Sequence, residues 1–294
     1  MPDQVGHDDV MKRKYNRVLT IAGSDSGGGA GIQADIKTIS AMGCYAASAI
    51  TALTVQNTLG VHAVHPVPLD FLEGQIDAVL SDIGADAVKT GMLHSAEVVE
   101  IVAVKVRKYA IRNLVLDPVM VSTSGHRLIE ESAVDVIRRQ LLPLARVVTP
   151  NLPEAEILIG RKIDSDEHFR NAAQELARNY GVSVLLKAGH MTGEILTDYF
   201  YNNEDDTLTL LPSKRVKTMN THGTGCTLSS ALAAALAKGE DMTAAVKSAK
   251  RFIEAAIISG SEYEIGKGHG PVNHNFIYDS SCRIWQPDRV LSQF

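Results

Sequence analysis

The 294-residue sequence is poor in cysteine: Cys44, Cys226 and Cys282 are its three. They form no even, closely spaced framework, which excludes a disulfide-built fold and points to a reducing compartment. Positive charge is not in surplus either. Lysine and arginine number 29 against 34 aspartate and glutamate, a formal net charge of −5, so nothing biases the chain toward nucleic acid or another polyanion. Every apolar run is interrupted by Gly, Thr, Lys or Asp before the roughly 18 residues a membrane helix needs, so no membrane association is expected. Met1 to Arg17 are polar and mixed in charge, with no apolar stretch leading to a small-residue cleavage site. Residues 1–16 therefore read as a flexible extension and the protein as cytoplasmic. Internal repeats, low-complexity tracts and a separate linker are missing too, which leaves residues 17–294 as one domain.

What is present suits a packed core: 45% of residues are hydrophobic and 21% charged. Short apolar runs alternate with longer amphipathic ones, the pattern of a mainly parallel sheet with helices on both faces. Strands are predicted at Val18 to Ala22, Ala47 to Leu53, Ala87 to Lys89, Leu114 to Asp117, Val147 to Thr149 and Val182 to Lys187. Each run is continuous rather than alternating, as for strands covered on both sides. Leu69, Leu72, Ile76, Val79 and Ile83 recur at helical steps, as do Val98, Val102 and Val106. Ser165 predicts a helix start and Gly181 its stop. Ile195 to Tyr201 and Thr207 to Leu211, joined by a polar turn, read as an antiparallel hairpin added to the sheet. Two alanine-rich helices follow, over about Gly225 to Lys238 and Met242 to Ile258.

Chemistry concentrates in two glycine-rich segments. The first, Gly23 to Gly31, follows a strand and precedes a helix. Its spacing is neither a dinucleotide fingerprint nor a Walker loop. On the helix after it, Asp35 shares the side of Ile32 and Ile39, so its carboxylate needs a buried partner. A polar ligand, a backbone donor or a lysine would serve. Gln56 and Asn57 end a threonine-rich run at the kind of sheet edge where ligands sit. The second segment, Asn220 to Cys226, has Gly223 and Gly225 flanking Thr224 just before an alanine-rich helix. Such a helix start makes an anion site suited to phosphate. Cys226 falls in its first turn, where the same field is expected to lower the thiol pKa.

These segments resemble the hydroxymethylpyrimidine/phosphomethylpyrimidine kinases of thiamine biosynthesis, within the ribokinase-like superfamily. The resemblance runs from about Val18 to Phe276 and is carried by Leu19 to Lys37, Ile50 to Gly60, Lys89 to Leu93, Leu116 to Met120, Thr149 to Glu154, Lys187 to His190 and Asn220 to Ser229. It implies a three-layer α/β/α sandwich, a homodimer, and ATP- and magnesium-dependent phosphorylation of 4-amino-5-hydroxymethyl-2-methylpyrimidine and then of its monophosphate. By the same resemblance Asp35 and Gln56 bond the pyrimidine's amino group and ring nitrogen, while Gly23, Met92 and Val119 line its pocket. Lys187 approaches the ATP phosphates, and Asp117, Asn151 and Glu154 serve magnesium. Gly223, Thr224, Gly225 and Cys226 form the anion hole, with Cys226 either the base or a positioning residue. The region around Ser122 to His126 is a candidate closing loop. One departure is Ser26, where relatives have proline after the aspartate, which leaves the first loop without a fixed backbone angle. A pyridoxal or pyridoxine kinase is the nearest alternative, and a non-catalytic pyrimidine-binding protein a more distant one.

Overall fold

A computed structural model describes residues 13–120, 129–189 and 193–278, without the side chain of Asp166. The segment Ser122 to His126, His190, Cys282 and most of the N-terminal extension lie outside the described residues. In chain order the elements are β1 (Arg17–Ser24), α1 (Gly31–Ala41), β2 (Tyr45–Asn57), β3 (Gly60–Pro66), α2 (Leu69–Ala78), β4 (Ala87–Thr90), α3 (Ala96–Lys108), β5 (Leu114–Leu116), α4 (Glu131–Val136), β6 (Val147–Val148), α5 (Leu152–Ile159), α6 (Asp166–Tyr180), β7 (Ser183–Leu186), β8 (Ile195–Asn202), β9 (Thr207–Lys214), α7 (Thr224–Ala237) and α8 (Met242–Gly260).

The strands form one nine-stranded sheet in the order β3-β2-β1-β4-β5-β6-β7-β8-β9. From β2 to β7 neighbours are parallel, whereas β3, β8 and β9 pair antiparallel at the two edges. Successive buried side chains on a central strand go to opposite faces, as strand geometry requires. Val18, Ala87, Val115, Val147 and Leu185 pack with α1, α7 and α8. Their neighbours Leu19, Val88, Leu116, Val148 and Leu186 pack with helices α2 to α6. A strand feeding two cores cannot alternate polar and apolar residues, which is why these runs are continuous.

Local signals hold where they have a mechanism. Ser165 accepts a hydrogen bond from His168 N and starts α6, and Gly181 ends it at φ +67°. The helix expected to run from Leu69 through Ile83 changes to a wider π turn at Val79–Ile83. Strand β2 runs four residues beyond the predicted end, and β3 was not predicted. The β2–β3 ribbon leaves Leu53, Val55 and Val64 exposed, so its pairing rests on backbone bonds rather than on a buried face that would mark it in sequence.

Candidate active site

From β1 the chain passes outward to β2 and β3, then returns to β4 on the other side of β1. The loops after β1 and β4 therefore diverge and leave a crevice at the carboxyl ends of the strands. A cavity of about 900 Å³ occupies it, bordered by the loops after β1, β4, β5, β6 and β7 and by the start of α7. Of the residues singled out in the sequence, Gly23, Gln56, Met92, Asp117, Val119, Asn151, Glu154, Lys187, Gly223, Thr224, Gly225 and Cys226 all border it.

The two glycine segments close against each other. Asp25, nearly sealed from solvent, accepts hydrogen bonds from the amides of Gly27 (2.8 Å), Gly29 (3.1 Å) and Ala30 (2.8 Å), and from His222 Nε2 at 2.8 Å. Burial works to raise its pKa, but His222 and the amides outweigh it and hold the carboxyl below its ordinary range. Gly223 has φ +79°, and a Cβ there would overlap the Gly29 carbonyl oxygen. Only glycine fits, on both counts. Ser26, in place of the expected proline, accepts from Gln56 N at 2.9 Å and donates to Gln56 O at 2.8 Å. The loop thus gains two bonds to β2 in exchange for a fixed φ.

Asp35 requires a correction. Its side chain is fully buried and does not border the cavity. Lys89 Nζ lies 2.9 Å from both carboxylate oxygens, Ser230 Oγ donates to Oδ1 at 2.7 Å and Thr20 Oγ1 to Oδ2 at 2.6 Å. With its acceptor capacity taken up in this way, Asp35 has nothing to offer a pyrimidine amino group. The lysine partner, one of the options left open by the sequence, is the one realised. Lys89 itself was missed as a functional neighbour; a lysine inside a strand buried on both faces was the available signal. Gly23 borders the cavity as expected. Its missing side chain makes room for the Met92 thioether, which forms the apolar wall in its place.

At the opposite end stands a group of charges. Lys187 Nζ lies 3.2 Å from Asp117 Oδ1 and 3.9 Å from Glu154 Oε2. Thr149 and Ser229 hydroxyls, each 3.1 Å away, hold the Asp117 carboxylate. Asn151 and Glu154 form the capping box of α5: Asn151 Oδ1 accepts from Glu154 N at 2.9 Å, and Glu154 Oε2 from Asn151 N at 2.8 Å. Burial pushes the Glu154 carboxyl up to about 7 against the pull of Lys187. Asp117 is held low, since Lys187 and Lys89 outweigh its own desolvation.

Helix α7 starts above these groups with no side chain capping it; Thr224 N bonds Thr221 O at 3.3 Å, and Gly225 and Cys226 border the cavity. A Cβ on Gly225 would come within 3.3 Å of Lys187 Nζ, which shows how closely the ammonium approaches this helix end. Cys226 requires the second correction. Burial outweighs the attraction of Lys89 and pushes its thiol up to about 11, not down.

The carboxylate and amide oxygens gathered here are of the kind that suits a hard divalent cation. Among the described residues no cluster of three or more His, Cys, Asp and Glu is arranged to hold a metal directly. Asn151 Oδ1 is occupied as a cap, whereas Asp117 and Glu154 flank the cavity with one lysine between two carboxyls. A magnesium ion keeping most of its waters fits two carboxyls that open on one cavity. The same cavity is bordered by the apolar Val216, Ile253 and Ile257 and by Lys250, whose Nζ is 2.6 Å from Asp198 Oδ2.

Known proteins resemble this chain in sequence and in fold. A family model described as phosphomethylpyrimidine kinase matches residues 25–273. The chain is 51% identical over 257 residues to a hydroxymethylpyrimidine/phosphomethylpyrimidine kinase of Rhizobium meliloti, covering 87% of this chain and 96% of that one. It is 50% identical over 257 residues to the thiamine biosynthesis bifunctional protein ThiED of Geobacter sulfurreducens, of whose length the match spans 52%. Among solved structures, the pyridoxal kinase of Staphylococcus aureus in complex with ADP superposes with a TM-score of 0.83 at 35% identity, covering 92% of this chain and 96% of that one.

Proposed function

The chain belongs to the phosphomethylpyrimidine kinase family, and from that premise we propose that it phosphorylates 4-amino-5-hydroxymethyl-2-methylpyrimidine and then its monophosphate, with ATP and magnesium, for thiamine synthesis. The observation that carries this reading is that one cavity joins Gln56, Met92 and Val119 at one end to Lys187 and the open start of α7 at the other. A ring held at the first end points its alcohol toward the second.

ATP with magnesium supplies the phosphoryl group and neutralises part of its charge. Lys187, held by Asp117 and Glu154, places an ammonium where negative charge collects during transfer. Gly225 and Cys226 border the same cavity, where their amides need no reorganisation to donate. Asp117 and Glu154 would hold a hydrated magnesium ion, with Asn151 fixing Glu154 through the cap. In a loose transfer the alcohol keeps its proton until late, so a strong base is not required. A Cys226 thiol kept protonated by burial therefore serves as a positioning residue of the anion site. The apolar border at Val216, Ile253 and Ile257 receives the base of the nucleotide. The S. aureus pyridoxal kinase complex with ADP supports a nucleotide in this fold.

Residues 17–294 act as one domain, and the protein works in the cytoplasm as a homodimer in which the exposed apolar β2–β3 ribbon meets a second copy. Among the described residues no helix is long and apolar enough to cross a membrane. Product analysis by phosphorus NMR, with the pyrimidine alcohol, its monophosphate and pyridoxal offered separately, tests the function. Successive formation of the pyrimidine monophosphate and diphosphate is expected. Preferential phosphorylation of pyridoxal would contradict it, as would pyrimidine binding without any transfer.

A further inference from the structure

Gln56 meets two partners whose chemistry settles which way its carboxamide faces. In the structure Gln56 Oε1 lies 3.1 Å from Thr54 Oγ1, and Nε2 lies 3.3 Å from His222 Nε2. The Thr54 hydroxyl has a single proton, and at 2.9 Å from Ser24 O that proton belongs to a carbonyl that can only accept. Thr54 must then accept from Gln56. At the other end His222 Nε2 is 2.8 Å from an Asp25 carboxylate held in its charged form, so that nitrogen carries a proton and cannot accept from Gln56. Two independent neighbours thus require the same half-turn of the amide, whose orientation follows from its hydrogen-bond partners. The nitrogen faces Thr54 and the oxygen faces His222. Ser26 fixes the backbone of the same residue through its amide and carbonyl.

We propose that His222 and Thr54 are specificity-determining residues: together they lock the polarity of the Gln56 amide, and the locked amide decides which way round the pyrimidine enters. This rests on the substrate class proposed above. Thr54, Gln56, Asp25 and His222 all border the cavity, so the free proton of the amide nitrogen and the free lone pair of its oxygen are available to a planar ligand. That ligand meets a donor on the Thr54 side and an acceptor on the His222 side. In the aminopyrimidine alcohol the amino group lies between the ring nitrogen N3 and the carbon bearing the hydroxymethyl. Pairing amino with the amide oxygen and N3 with the amide nitrogen therefore puts the hydroxymethyl beyond the amino group, on the His222 side. His222 belongs to the segment that leads into Gly223 and α7, so the same orientation delivers the alcohol to the anion site. A pyrimidine turned over would pair donor with donor and carry its alcohol toward β2.

The 4-oxo analogue is the sharpest probe, because its lactam form presents carbonyl and N–H in the opposite order. The native protein should prefer the amino substrate by ~100-fold or more in kcat/KM, since a reversed pair leaves buried polar groups opposed. Thr54→Val and His222→Leu each free the amide to turn, and each should reduce that preference by ~10-fold or more, the worth of about one hydrogen bond. His222→Gln restores a donor at similar reach and should restore the preference, as Thr54→Ser should retain it. A merely structural role would lower thermal stability and scale both substrates alike. An unchanged amino-to-oxo ratio in both Thr54→Val and His222→Leu, with the native protein turning over the aminopyrimidine, overturns this proposal alone. No turnover of the aminopyrimidine by the native protein overturns the proposed function together with it.

Discussion

Lys89 lies inside β4 and Lys187 just past the end of β7, each buried against carboxylate, yet they do different things. Lys89 has one partner, Asp35, in a sealed pair completed by Thr20 and Ser230. Its charge is spent inside the protein. Lys187 stands between two carboxyls, Asp117 and Glu154, with its side chain 15% exposed toward the cavity. One pair is closed and ties β1, α1, β4 and α7 together; the other opens on the cavity. Burial of a charge is therefore no mark of function. What separates the two is whether the hydrogen-bonding capacity around the charge is already filled.

The comparison can be broken from either side. Lys89→Met leaves Asp35 sealed and unpaired, which should cost about 3–5 kcal/mol of stability in denaturant unfolding, and adding Asp35→Leu should recover most of it. A single variant with native stability would show that the pair is not closed. Lys187→Met should instead lower kcat by ~10²–10³-fold, comparable to losing one donor to a developing oxyanion. A protein that unfolds on this change, or keeps its kcat, would put Lys187 in the same class as Lys89. Smaller effects are expected at Cys226. Cys226→Ala should lower kcat by less than ~10²-fold, the low end of what a general base contributes. With the thiol held up to about 11, the thiolate fraction grows with pH all the way up to that value. Alkylation of Cys226, followed by peptide mass, should accelerate ~10-fold per pH unit between 7 and 9. A plateau near pH 8 would restore the thiolate base.

Much of this was legible in the sequence for a physical reason. Strands buried on both faces leave continuous apolar runs, and the glycine-rich segments at Gly23 and Asn220, each leading into a helix, announce where backbone must approach a ligand. Caps such as Ser165 are local and readable. The residue-level roles were less legible because they depend on which distant groups meet. Asp35 was recognised as an acid needing a partner, but nothing in its own helix says that Lys89, 54 residues away, fills that need. The field at the start of α7 suggested a reactive thiol, whereas the depth at which Cys226 sits is a tertiary property and dominates. The motif Asn151 to Glu154 reads as metal ligands by resemblance and proves to be first a helix cap. Strand β3 has no buried face to betray it. His222 offered no clue until Asp25 and Gln56 were brought beside it.

A structure of the protein bound to the aminopyrimidine alcohol and a non-hydrolysable ATP analogue tests the central claim most directly. The ring should lie against Met92 with its amino group on the His222 side of Gln56, and its hydroxymethyl oxygen should face the first amides of α7 near Lys187. A pyrimidine turned over, or one held in a different cavity from the nucleotide phosphates, would contradict it.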